Sequence, residues 1–364
     1  MPTTTSIPVA KGEVNWHESM TQTFEFYTVD PNTWKDDKPI TFIESCSIER
    51  DESNETLGSA RFDVGEHLDE CYIRTYLVVI QNGFTNKFPL GTHLVQTTPK
   101  EFDGLKTKYE VDAYTPLLEL KESQPPIGYS ILKETKIMPL AANICREVMR
   151  APIVSGKSEE KLYSDFVANL NDTWLTFLKD LVANAKHEIA LDEMGQVIFK
   201  PTQDIASLQP VMVFNDDNSS ILYPSVKDDN DIYGIPNVVE VIYSTNAGFL
   251  RSRVVNDDPN SPISTVNRGR EIVHRESNPQ INGTPTQDYI DAYALQLLRN
   301  LSCLVHKITF EHSYYPVRVG DAVILNYERA GLKNIKAKIT AQSIKCETGC
   351  SIQETAVYTT KLWR

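Results

Sequence analysis

Hydrophobic periodicity switches twice along this chain, and that switch restricts its fold more than any other feature. Between Lys38 and Lys121 the period is two. Ile40, Phe42, Cys46 and Ile48 keep it, as do Ala60, Phe62 and Val64, which predicts strands that bury one face. Tyr72 through Ile80 is apolar on both faces and predicts a central strand. Gln81-Asn82-Gly83 supplies a turn, Leu90–Val95 a returning strand, and Tyr109–Tyr114 closes the set. The first 35 residues are polar and turn-rich apart from Phe24–Tyr27. Six short strands with short turns predict a small barrel or sandwich.

After Pro125-Pro126 the period becomes helical. Leu140, Ile144 and Val148 mark one helix face ending before Pro152. Trp174, Phe177, Leu178, Leu181, Val182 and Ala185 mark a second helix, with Asn171 or Asp172 as its N-cap. His187–Leu191 and Gln196–Phe199 then flank Asp192–Gly195 as a hairpin, so residues 126–205 read as a compact α+β insert. Residues 215–236 are polar, with Asp216-Asp217-Asn218 and Asp228-Asp229-Asn230-Asp231. They lack the glycine and distal glutamate of a calcium loop and read as a solvated connection.

Period two returns at Val238–Tyr243 and Arg251–Val255, followed by a loop from Asn256 to Ser264. One helix interrupts the strands. Thr284, Pro285 and Gln287 predict its capping box, and Ile290, Tyr293, Ala294, Leu297, Leu298 and Leu301 its buried stripe. Strands are expected again at 304–312, 317–325 and 335–341. The expected fold class is α+β and β-rich, with two β-barrel modules around an α+β insert. The expected boundaries are 1–125, 126–235 and 236–364, and the two similar β modules hint at an internal duplication.

Charge excludes some partners. Lys and Arg number 36 against 49 Asp and Glu, a net −13 over 364 residues. Such a surface repels phosphate backbones and anionic membranes, so neither sequence-specific nucleic acid nor stable membrane insertion is expected. No stretch approaches the ~18 apolar residues of a membrane span, and Met1–Pro8 has no signal-peptide pattern. The six cysteines (Cys46, Cys71, Cys145, Cys303, Cys346, Cys350) read as reduced thiols. Cys346 and Cys350 flank a β-turn and lack a second ligand pair nearby in sequence, so no metal site is expected.

Catalytic patterns are missing too. No phosphate loop, dinucleotide fingerprint, nucleophile elbow or zinc-protease motif occurs. The seven histidines are scattered; His306 and His312 share a strand face but lie ~20 Å apart, too far for one metal. Glu44, Glu110 and Asp112 lie in or beside strands, where a carboxylate can act as a glycosidase-type acid, but solvated or paired carboxylates are the plainer reading. No catalytic residue and no cofactor is assigned.

At the second β module an ordered set of short motifs resembles bacteriophage tail hub proteins. Asp257-Asp258-Pro259-Asn260-Ser261-Pro262, then Ser264 and Asn267-Arg268-Gly269-Arg270, follows a strand pair and precedes a helix and Val319-Gly320-Asp321. Tyr72-Ile73-Arg74, Leu90-Gly91-Thr92, Val111 through Leu118, and Asp172-Thr173-Trp174 through Gly195 and Pro201 are similar as well. The resemblance covers most of the chain in outline. It implies a baseplate hub made of two tail-tube-like β-barrel modules with an insert. Such a hub is a homotrimeric ring joining a six-fold tail tube to a three-fold central spike, with the tape measure protein as a further partner. It also implies a structural adaptor without an active site, located in the virion tail baseplate and assembled in the host cytoplasm. The alternatives are a tail-associated cell-wall hydrolase using carboxylates such as Glu44 and Glu110, or a tail-tip carbohydrate-binding receptor protein. Interface contacts are expected at Asp257, Asp258, Pro259, Asn260, Ser261, Pro262, Arg268 and Arg270, since arginine pairs bidentately and two prolines stiffen the loop.

Overall fold

The computed structural model describes residues 14–97, 99–102, 104–154, 156–216, 221–245, 248–279 and 286–363. Eight strands come first: β1 (Thr21–Val29), β2 (Asp36–Ile40), β3 (Ile43–Asp51), β4 (Gly58–Val64), β5 (Tyr72–Gln81), β6 (Phe84–Thr97), β7 (Lys100–Phe102) and β8 (Thr107–Tyr114). The insert holds α1 (Leu118–Glu122), β9 (Ser130–Ile131), α2 (Ile137–Val148), β10 (Ile153–Val154), β11 (Phe166–Val167), α3 (Trp174–Ala183), β12 (His187–Leu191) and β13 (Val197–Pro201). Then follow β14 (Pro210–Asn215), β15 (Leu222–Asn230), β16 (Val238–Thr245), β17 (Gly248–Val255), α4 (Thr265–Arg268), β18 (Val273–Ser277) and α5 (Gln287–Leu301). The chain ends with β19 (Cys303–Ser313), β20 (Ala322–Tyr327), β21 (Leu332–Lys345) and β22 (Ser351–Lys361).

Two compact units result, one of residues 1–225 with 310–355, the other of 226–309 with 356–364. In the first, a sheet runs β2-β1-β5-β6-β8-β4-β3-β21, with β20 beside β21 and β14 beside β20. Ile48, Phe62, Ile73, Leu77, Val79 and Val111 form one core against it and are wholly buried. The β5–β6 hairpin turns at Asn82 (φ 53°) and Gly83 (φ 80°), the left-handed pair of a tight hairpin that matches the expected turn. A second core gathers α1, α2 and α3 around Leu175, Phe177, Leu178 and Leu181, joined by Tyr72 and Leu94 from the sheet and Trp34 from the turn before β2.

The second unit is smaller. β16 lies between antiparallel β17 and parallel β18. Helix α5 packs Ile290, Ala294 and Leu298 on Val239 and Val241 of β16. These three belong to the expected stripe, whose other members, Tyr293, Leu297 and Leu301, are partly buried on the same core.

The β-rich α+β class holds, with corrections. Among the described strands no barrel closes: β2 ends the path with β1 as its partner. Its sequence, Asp36-Asp37-Lys38-Pro39-Ile40, explains why, because charges and a proline lacking an N–H make a poor ladder edge. The expected connection at 215–236 contains β15, a polar strand whose pairing with β19 sets its conformation. Thr173, not Asn171 or Asp172, caps α3, its hydroxyl accepting from the Thr176 amide at 3.2 Å. Thr286 caps α5; Thr284 and Pro285 of the expected capping box lie outside the described residues. Helix α2 buries Ile137, Met138, Ala141 and Cys145 with Ile144, while Leu140 and Val148 are only partly covered. No helix is long and apolar enough to cross a membrane among the described residues.

Candidate functional site

The expected interface loop is a wired turn of the second unit. Asn237, Asn256, Ile263 and Ser264 are wholly buried, and Ser261 nearly so. Asn237 Nδ2 donates to the Ile263 and Arg270 carbonyls at 3.0 Å, and its Oδ1 accepts from the Ile272 amide at 2.7 Å. Asn256 Nδ2 donates to Ser261 Oγ at 2.9 Å, and Ser261 Oγ to the Leu362 carbonyl at 2.8 Å. Asn267 Nδ2 reaches the Pro259 and Ser261 carbonyls, both at 2.8 Å. Asp258 Oδ1 accepts from the Asn260 amide at 2.8 Å. Asp257, Pro259, Asn260, Pro262 and Arg270 remain exposed, whereas Asp258 and Arg268 are half-buried. Arg268 donates to the Ile235 and Ile232 carbonyls at 3.0 and 2.7 Å, so it braces the unit's own backbone. The surface this turn offers outward is therefore Asp257, Pro259, Asn260, Pro262 and Arg270.

A denser site lies in the first unit, where Tyr72-Ile73-Arg74, Leu90-Gly91-Thr92 and the α3–hairpin stretch meet. Arg74 is the one charged residue of the largely apolar strand β5, and its side chain is 1% exposed. Its Nε donates to Thr92 Oγ1 (2.9 Å), its Nη1 to Asp36 Oδ1 (2.7 Å), and its Nη2 to the Met194 carbonyl (3.1 Å). Tyr76 OH donates to the second Asp36 oxygen at 2.8 Å, and burial with the Asp36 charge pushes that phenol up to about 12. Trp34 Nε1 also donates to the Met194 carbonyl, at 2.7 Å. Gly195 ends the hairpin turn with φ 76°, and a Cβ there would sit 2.9 Å from Thr92 and 3.2 Å from Trp34. One arginine thus ties β5, β6, the turn before β2 and the β12–β13 turn into a single junction.

Next to this junction is a cleft of about 520 Å³. Its walls include all of β12, Thr92, His93, Arg318, Val319 and Gly320. Arg318 Nε pairs with Glu193 Oε1 at 2.6 Å, so Val319-Gly320-Asp321 adjoins the other motifs of the resemblance. His93 is 3% exposed, its Nδ1 has no hydrogen-bond partner, and its ring lies where a Cβ on Gly91 would reach, 2.5 Å away. Burial, aided by the Arg50 charge, pushes its pKa down to about 3. Unfolded, the imidazole protonates near 6.5; folded, it stays neutral to about 3. The unfolded chain therefore binds the extra proton between those values, and stability falls as pH drops through that window. We expect about 2 kcal/mol less stability at pH 5 than at pH 7 from this group. Urea unfolding at both pH values should show His93→Gln losing that much less.

Other expected candidates separate. Glu110 pairs with exposed Arg61 at 3.2 Å, and Glu44 is exposed. His306 Nδ1 lies 3.2 Å from Asp228 Oδ1 and stacks on Tyr358 at 4.3 Å. His312 is wholly buried against Glu354. All six cysteines are free, and the Cys350 amide bonds the Glu347 carbonyl, which closes the expected β-turn. The spatial partner of Cys346 is Cys46, whose carbonyl accepts its amide at 2.9 Å. No group of three or more His, Cys, Asp or Glu among the described residues could hold a metal ion. Sequence reasoning passed over Arg74 and His93, although a lone charge in a two-faced apolar strand was a readable signal for the first.

No protein-family profile matches the chain, and no curated protein sequence matches it. Solved structures do. A tail protein from Neisseria meningitidis MC58 aligns with 11% identity and a TM-score of 0.64, covering 93% of this chain and 97% of that one. The 43 kDa tail protein of prophage MuSo2 from Shewanella oneidensis aligns with 11% identity and a TM-score of 0.61, covering 92% and 98%. A Francisella PdpA–VgrG complex aligns with 10% identity and a TM-score of 0.57, covering 93% of this chain and 53% of that one. The chain has the fold of phage tail proteins.

Proposed function

We propose that this protein is a structural hub of a phage-type tail or of a related spike apparatus. Three copies form a ring between the six-fold tube and the three-fold spike, and DNA passes through its bore. The observation that supports this reading is the near end-to-end fold match with two tail proteins, one of them from a prophage, which leaves little of either chain unaligned. Similarity to a VgrG-containing complex supports a spike partner. The tape measure protein is the further partner, and the virion baseplate the location. The acidic composition fits a conduit: a trimer carries −39 (three times −13), and an anionic wall gives passing DNA no counterion-release gain.

Negative-stain imaging of the purified protein tests the proposal. A three-fold ring with a central hole is expected; particles of single-chain size at every concentration would refute it. The exposed turn makes a separable prediction. Arg270→Ala should shift the trimer–monomer balance by light scattering and leave the melting temperature unchanged. Arg268→Ala should lower unit stability by about 1–2 kcal/mol, because two carbonyls lose a charged donor at a half-exposed position. Equal behaviour of the two variants would remove this turn from the interface.

A further inference from the structure

Two cysteines of the first unit, 300 positions apart in sequence, face each other across a strand pair. Strand β21 runs antiparallel to β3, with Ile344 opposite Ile48 and Lys345 opposite Ser47. The next step of that register sets Cys346 opposite Cys46, and the Cys346 amide donates to the Cys46 carbonyl at 2.9 Å. A hydrogen-bonded pair of this kind has both side chains on one face and its Cα atoms ~5.5 Å apart. That separation lies inside the ~4.4–6.8 Å span that a disulfide bridges. The thiols already meet: the hydrogen bond with Cys46, and burial with it, hold the Cys346 thiol well above its usual range.

Their surroundings give the two thiols different access. Cys46 is 6% exposed and belongs to the core of Ile48, Phe62 and Ile344. Cys346 is half-buried and leads into the exposed turn Glu347-Thr348-Gly349. A reagent in solution therefore meets Cys346 first. Cys350 ends that turn and is wholly buried in the same core, so it is the competing partner. A bond from Cys346 to Cys350 would close the turn on itself. A bond to Cys46 would close a loop of about 300 residues, and the constraint on the unfolded chain grows with loop length.

We propose that Cys46 and Cys346 form a reversible disulfide latch between β3 and β21, closed by a low-molecular-weight disulfide such as oxidised glutathione. The Cys346 thiolate attacks one glutathione sulfur, forming a mixed disulfide and releasing one glutathione. The Cys46 thiolate then attacks the Cys346 sulfur, the protein disulfide forms, and the second glutathione leaves. Two protein thiols are oxidised, one glutathione disulfide is reduced, and both protons end on the released glutathiones. The latch stays open where thiols are kept reduced and closes in oxidising surroundings. The inference rests on the geometry of the first unit alone and stands apart from the ring.

Peptide mapping of the folded full chain tests it. The protein is held without denaturant in excess oxidised glutathione at about pH 8.5, where more thiol ionises, then alkylated and digested. A linked peptide joining Cys46 to Cys346 is expected, and reduction should remove it. The latched protein should unfold at a urea midpoint about 1 M above the reduced one. Cys350→Ala should form the link as fully as the wild type. Cys46→Ala should leave Cys346 carrying glutathione; if that variant misfolds, the wild-type map decides alone. Linkage of Cys346 to Cys350 instead, a lasting mixed disulfide on wild-type Cys346, or six thiols still open to alkylation would each overturn the proposal. So would a latched protein no more resistant to urea than the reduced one.

Discussion

Arg74→Ala is expected to cost the first unit about 3–5 kcal/mol, a large part of a typical domain's stability. The guanidinium is 1% exposed and spends its donors on Thr92, Asp36 and the Trp34 and Met194 carbonyls. Truncation strands the Asp36 carboxylate beside Tyr76, removes donors from two carbonyls and leaves a void in the β5 face. Arg74→Lys keeps the charge but cannot reproduce a planar fork aimed at several acceptors, so it should recover less than half of the loss. Denaturant unfolding measures the cost. Exchange at the Gly195 amide, which donates to the Asp192 carbonyl, should rise in step as the hairpin turn detaches. A midpoint within error of the wild type would show that the junction is incidental to the fold.

The same junction shows how far sequence reaches. Local periodicity located β3, β4, β5, β8, α3 and the β12–β13 hairpin, because each buries one face against whatever lies beneath it. It failed where a partner strand decides. β15 is Leu-Tyr-Pro-Ser-Val-Lys-Asp-Asp-Asn, a polar run that becomes a strand only through β19. β18 was missed for the same reason: its five residues gain their conformation from parallel pairing with β16. Barrel closure was misjudged because alternation says which face is buried and nothing about where a ladder stops. Helix caps missed by one or two residues, since several Thr, Asn and Asp side chains compete at each start and only the geometry of the turn selects one.

Sites were less legible than elements. The Asp257–Arg270 motif was visible as a loop rich in turn residues, but its anchors, Asn237 and Asn256, announce nothing in sequence. Both are wholly buried; Asn237 acts through the carbonyls of Ile263 and Arg270, distant along the chain, and Asn256 through the Ser261 hydroxyl and the Asp258 amide. Arg268 was grouped with Arg270 on residue type, whereas its donors point inward to Ile232 and Ile235. That β12 ends its sheet among the described strands is a property of sheet order and is written in no single segment.

Removing His312 should rival the loss at Arg74. The ring and Glu354 are both wholly buried, with Nε2 3.2 Å from Oε1, and Nδ1 donates to the Ser313 carbonyl at 2.7 Å. Gln342 Nε2 donates to the same carboxylate oxygen at 2.8 Å, and Gln342 Oε1 accepts from Arg50. Oε2 of Glu354 has no partner, so this network is already short of donors. His312→Ala leaves the carboxyl group with Gln342 alone in a dry interior and opens a void beside Phe214, whose ring lies 4.6 Å from the imidazole. About 3–5 kcal/mol should be lost. His312→Phe refills the void but still strands Glu354, so it should recover only the packing share. His312→Phe combined with Glu354→Leu removes both polar partners and should be more stable than His312→Phe alone, because an apolar pair of similar volume needs no hydrogen bond. If the double variant is the less stable of the two, the carboxylate is held chiefly by Gln342, and the His312 contact adds packing only.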